Sequence, residues 1–223
     1  MSGIMDMITE QLGAGMMDQL SKKIGGGNSD GLNRAMAAAV PMILSQLKRN
    51  ASSRKGAESL NNALERDHDG GLLDNLGSLL GGAQQQSSNG GLLDSLGGLL
   101  GGGKPQNRGM DGGAILGHIF GKKQGNIAEK LGQATGIGGK DAGGLMEMLA
   151  PIVMGAVGKA KRQNNAGVSG LQDLLRQEQK TIKKRQPQLG GLESLLDDDG
   201  DGDVDLSDVL KKGGGLLSGF FKR

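Results

Sequence analysis

The chain has 223 residues and a formal net charge of +2, and its 44 glycines are nearly three times the ordinary usage of about 7%. Phe120, Phe220 and Phe221 are the only aromatic residues and cysteine is absent, which excludes disulfides, thiolate metal sites and cysteine nucleophiles. Any core must therefore be built from Leu, Ile, Val, Met and Ala. Such a core suits helices, because strands favour β-branched and aromatic side chains.

The N-terminus, Met1 to Asp6, has no basic stretch followed by a continuous apolar one, so a standard signal peptide is not expected. No apolar run approaches the roughly 18 residues that a membrane span needs. The expectation is a cytoplasmic protein without a transmembrane segment. The first periodic segments, Ile4 to Leu12 and Met16 to Lys23, read as short amphipathic helices. Gly25-Gly26-Gly27 breaks the chain, and Asn28, Ser29 or Asp30 can cap the helix that follows. That helix runs to about Asn50, is apolar nearly all round from Ala35 to Leu44, and has Pro41 inside it as a kink. A further helix, about Ser53 to Glu65, carries Leu60 and Leu64 on one face.

The same unit then recurs. Ala39-Val40-Pro41-Met42-Ile43 matches Leu149-Ala150-Pro151-Ile152-Val153, with the prolines 110 residues apart. Leu20 to Gly26 faces Leu131 to Gly138, starting at an offset of 111 with one residue inserted, and Gly56, Leu60 and Leu64 face Gly167, Leu171 and Leu175 again at 111. This is the mark of an internal duplication. In the second copy the central helix is expected from Gly143 to about Ala160, with Asp141 near its cap. Between the copies, Gly70 to Gly82 recurs as Gly90 to Gly102, each with leucines on one face of a segment too short to hold a helix alone. Ala83 to Asn89 reads as a linker. The predicted organisation is helical repeat A over 1–66, a degenerate loop and Gly/Leu-rich connector over 67–108, helical repeat B over 109–189, and a metal loop with a C-terminal helix or tail over 190–223. The predicted fold class is all-α, two homologous helical bundles.

The chemistry-bearing motif lies near the C-terminus, at Asp197-Asp198-Asp199-Gly200-Asp201-Gly202-Asp203-Val204-Asp205-Leu206-Ser207-Asp208. A calcium loop of the EF-hand type takes oxygen ligands at positions 1, 3, 5, 7, 9 and 12 and needs glycine at position 6. Counting from Asp197 puts Asp197, Asp199, Asp201, Asp205 and Asp208 on carboxylate positions, the backbone carbonyl of Asp203 on position 7, and Gly202 on the turn. Val204 supplies the apolar residue behind the loop. Many carboxylates without His or Cys suit a hard dication, Ca2+, with Mg2+ as a rival because position 12 is Asp rather than the longer Glu. A degenerate counterpart aligns Glu65, Asp67, Asp69, Gly70 and Leu72 with positions 1, 3, 5, 6 and 8, but Leu73 and Leu76 replace the ligands at 9 and 12. His68 within it reads as a polar loop residue.

An enzyme is not expected: two histidines, no cysteine and no tyrosine leave no catalytic set. His118, in Ile115 to Phe120, reads as a packed or capping residue. The glycine-rich stretches follow no strand and lack the Lys-Ser/Thr of a phosphate loop. Seven carboxylates between Asp197 and Asp208 leave the rest of the chain at +9, and Lys159 to Arg185 carries +6. Lys159, Lys161 and Arg162, with Lys183, Lys184 and Arg185, could contact phosphates, so a basic helical nucleic-acid-binding module is the alternative function. No stacking aromatics accompany them. The terminal Leu216-Leu217-Ser218-Gly219-Phe220-Phe221 reads as an exiting helix that packs on the core.

Leu149 to Ala156, Ile115 to Phe120 with Thr135-Gly136, Asp67-His68-Asp69-Gly70 and Gly214 to Leu217 together resemble the bacterial YidB-like family (domain of unknown function 937). The C-terminal loop resembles those of EF-hand and dockerin modules. The family resemblance implies an all-helical bacterial protein without assigned catalytic residues. The functional expectation is a non-enzymatic, calcium-binding helical scaffold or interaction module that acts on a protein partner or by self-association.

Overall fold

A computed structural model describes residues 3–12, 29–68 and 111–185. The helix expected at Met16 to Lys23, the connector beyond His68 and everything beyond Arg185 lie outside the described residues. Within them the chain is all-α, with no strand. The elements in chain order are α1 (Ile4–Gln11), α2 (Ser29–Asn50), α3 (Arg54–Asp67), α4 (Gly112–Phe120), a single 3-10 turn (Gly121–Lys123), α5 (Gln124–Thr135), α6 (Gly139–Gln163) and α7 (Val168–Arg185). None is long and apolar enough to cross a membrane.

Local chemistry explains the ends. The Ser53 hydroxyl accepts the Gly56 N–H at 3.0 Å, and the Asp111 carboxylate accepts the Ala114 N–H at 2.9 Å, so each satisfies an orphan donor of the first turn. α5 stops at Gly136, whose φ of 78° is the left-handed conformation that a side chain resists. α6 extends beyond the expected Gly143 to Ala160 at both ends. Asp141 in its first turn and Lys161 and Arg162 in its last complement the helix dipole.

α2, α3, α6 and α7 recur at the offsets that the sequence carries, and α1 has α4 as its counterpart. The two units share one core. Ile4, Met7 and Ile8 of α1 with Leu12 just after it, Ile43 and Leu47 of α2, Leu64 of α3, Leu116 of α4, Leu145, Met146, Leu149 and Val153 of α6, and Leu171 and Leu175 of α7 belong to a single apolar cluster. The packing is interleaved. α1 of the first unit lies chiefly on α6 of the second, α7 of the second lies more on α2 than on its own α6, and α3 packs on α6 and α7 as well as on α2. α6 is enclosed by both units, and every residue from Leu149 to Gly158 is buried. α2 is less enclosed than its composition suggests: Ala37 is exposed and Met36, Pro41 and Met42 are half-buried.

Polar side chains stitch the seam between units. The Asn50 amide donates to the Ile119 carbonyl at 3.0 Å, Gln172 to the Ala51 carbonyl at 2.6 Å, and Gln179 to the Ser45 hydroxyl at 3.2 Å. Pro151 adds a steric device. Lacking an N–H, it leaves the Glu147 carbonyl without its helical donor. The first residue of α4, Gly112, sits against that carbonyl, where a Cβ would stand 1.8 Å from the oxygen.

Candidate functional site

The carboxylates assigned to the metal loop, Asp197, Asp199, Asp201, Asp203, Asp205 and Asp208, lie outside the described residues. The described part of its degenerate counterpart serves another purpose. Glu65, at the first ligand position, accepts the Lys161 ammonium at 2.8 Å and the Asn61 amide at 3.1 Å. Those bonds hold the Glu65 carboxyl below its ordinary value, Lys161 first and Asn61 second. The Lys161 side chain is only 12% exposed, so one member of the basic run at 159–162 is committed to joining α6 to α3. Asp67 is exposed at the end of α3. No group of three or more His, Asp or Glu side chains converges among the described residues.

His68 is the C-terminal cap residue of α3, its N–H donating to the Leu64 carbonyl at 3.3 Å; it stands outside the helix, as a polar loop residue would, and it is buried. Burial pushes its imidazole below the ordinary 6.5, opposed by neighbouring Asp67. His118 is exposed, not packed, and stands in the last turn of α4.

Glu178 is the polar residue that sequence reading passed over. It is 6% exposed and lies on the buried stripe of α7 formed by Leu171, Leu175 and Ile182. Its carboxylate accepts the Ile4 N–H at 3.0 Å and the Met5 N–H at 2.8 Å, so a side chain of the second unit caps the first helix of the first. One turn or two further on, the Arg185 guanidinium grips the Asp6 carboxylate, which also accepts the Gly3 N–H at 3.1 Å. These two bonds, Arg185 first, lower the Asp6 pKa, and Asp6 raises that of Arg185. The signal for Glu178 was available: a charge spaced three residues after Leu175 and four before Ile182 falls on the apolar stripe, where only a partnered charge is tolerated.

The opposite face of α7 is basic. Arg176, Lys180, Lys183 and Lys184 are exposed, with Asp173 the one exposed acid on the helix. Arg176 meets Asp173 at 3.5 Å, both well exposed. Lys180 and Lys184 form no ion pair among the described residues. This face is the described part of the chain best suited to meet an anionic group.

Residues 6–91 and 82–160 each match the family described as bacterial protein of unknown function (DUF937). No curated protein and no solved structure matches the chain. The two matches span residues 6–160, more than half the sequence, and agree with the duplication seen in the helices. The chain therefore belongs to the DUF937 family and carries its unit twice.

Proposed function

We propose that the protein is a non-enzymatic, calcium-binding helical scaffold, in which the duplicated core presents the loop Asp197–Asp208 and a basic helix to a protein partner or a second copy. The observation that carries this reading is the loop pattern itself. Carboxylates stand at positions 1, 3, 5, 9 and 12, with glycine at 6 and valine at 8, a coincidence that a merely acidic run does not require. Cross-unit bonds by Glu65, Lys161, Gln172 and Glu178 support a structural role for the core's polar groups. Calorimetric titration of the metal-free protein with Ca2+ and with Mg2+ is the test. The reading expects calcium uptake at one site, lost on Asp197→Ala plus Asp201→Ala. It fails if no calcium binds by millimolar concentration, or if the double variant binds it unchanged.

A second reading, a basic helical nucleic-acid binder, is favoured by the outward cations of α7. It expects salt-dependent retention of duplex DNA that falls when Lys180, Lys183 and Lys184 are neutralised. The loss of Lys161 to Glu65 counts against it.

A further inference from the structure

We propose that the outward face of α2 around Ala37, Pro41 and Met42 is a seat for a glycine-led apolar helix supplied by a partner protein, the counterpart of the seat that α4 fills on α6. The seat is independent of the calcium loop.

Duplication lets one unit show what the other lacks. At an offset of 110, Ala37, Pro41 and Met42 of α2 correspond to Glu147, Pro151 and Ile152 of α6. Pro41, like Pro151, has no N–H, so the carbonyl four residues earlier, that of Ala37, lacks its helical donor. On α6 the equivalent Glu147 carbonyl meets the first residue of α4, Gly112, and α4 packs chiefly on α6. Met146, Pro151 and Ile152 are buried there. Their counterparts Met36, Pro41 and Met42 are only half-buried, and Ala37 is exposed.

The first unit's own helix does not fill the place. α1 lies on α6 instead, capped by Glu178. The reason is steric. At offsets of 110 and 111 the residue equivalent to Gly112 is Ser2 or Met1. Either carries a Cβ, which at Gly112 would stand 1.8 Å from the carbonyl oxygen. Glycine is the residue that lets a helix start so close to another backbone.

The chemistry of the occupant follows from α4. It needs glycine as its first helical residue and apolar residues three, four, seven and eight positions on, as Ile115, Leu116, Ile119 and Phe120 stand after Gly112. It needs no charge on that face, because Ala35 to Leu44 carries none. Ser45, one turn beyond Pro41, accepts the Gln179 amide of α7 at 3.2 Å, so a helix docked here continues an existing interface. The partner is a second protein that lays such a helix into the groove.

The test uses the full chain. It has no cysteine, so Ala37→Cys supplies a single reporter thiol. The probe is a synthetic peptide of residues 111–123. So short a helix must order as it binds, and a Kd on the order of 0.1–1 mM is expected. Maleimide labelling of Ala37→Cys should then slow about two- to tenfold at about 1 mM peptide. A peptide with Gly112→Ala should give no protection, and neither peptide should slow Ser59→Cys, an exposed position in α3. Amide shifts in the unmodified chain should fall on residues 36–42 and leave 146–152 unchanged. Unslowed labelling, equal protection by the two peptides, or shifts confined to α6, where the probe would be replacing α4, overturns the proposal. Labelling of Ala37→Cys far slower than that of Ser59→Cys before any peptide is added also overturns it, because the chain then fills the seat itself.

Discussion

At the scale of single residues, Glu178 is tested by truncation and His68 by pH. Glu178 is buried and its carboxylate accepts two N–H groups of α1. Hydrogen bonds to a charged group contribute about 1.5–3 kcal/mol, and a buried donor left without an acceptor costs as much. Glu178→Ala should therefore lower stability by about 2 kcal/mol, and Glu178→Gln, which keeps one acceptor oxygen, by roughly half that. Denaturant midpoints measure both, and faster amide exchange in α1 with α6 unchanged would place the loss at the cap. His68 responds to acid. Its folded-state pKa lies below the ordinary 6.5, so as pH falls through that value the unfolded chain binds the proton first. Its contribution is full above about 6.5 and is lost as pH falls towards the folded value. Asp6 and Glu65, also depressed, act only below their ordinary 3.8 and 4.5. Urea midpoints at pH 7.5 and pH 5.5 should differ in the native chain, and His68→Gln should shrink that difference; an undiminished difference would assign the acid sensitivity elsewhere.

At the scale of elements, what fixes helix ends is short-range, and most of it was legible. Ser53 and the Leu60 and Leu64 face were read in place, as were Pro41 and Pro151 inside the two central helices. The close crossing of α4 on α6 was not, because it depends on a carbonyl freed by a proline 39 residues away from the glycine that meets it. Two glycines separate these cases. Gly112→Ala would place a methyl 1.8 Å from the Glu147 oxygen, so α4 must move; overpacking of this kind costs about 1–3 kcal/mol. Gly144, inside α6, has no neighbour among the described residues where a Cβ would stand, and there alanine should stabilise by about 0.5–1 kcal/mol through helix propensity and the stiffer unfolded chain. Opposite shifts in thermal midpoint check the pair. If both substitutions destabilise, the space beside Gly144 is not open.

At the scale of the whole molecule, duplication was legible in the repeated proline-centred helix, but its spatial use was not. A repeat in sequence suggests two bundles side by side. Here the units exchange partners, with α1 on α6, α7 on α2, and Glu178, Gln172, Gln179 and Lys161 bonding across the seam. Sequence periodicity marks which face of each helix is apolar, not which helix covers it. Interleaving has a consequence for folding. A fragment of residues 109–189 would bare the surfaces of α6 that α1, α2 and α3 cover, and the side of α7 that meets α2. Leu145, Met146, Leu149 and Val153 are fully buried, and each such side chain returned to water costs about 1.5–3 kcal/mol, against a domain stability of only about 5–15 kcal/mol. The fragment should therefore lack a cooperative thermal transition as a monomer, or self-associate so that a second copy supplies the missing helices. Mixed with a fragment of residues 1–108, it should form a one-to-one complex with a cooperative transition and restored helicity, read by circular dichroism and light scattering. A monomeric 109–189 fragment that unfolds cooperatively at the temperature of the intact chain would show that each unit is self-sufficient and that the exchanged contacts are dispensable.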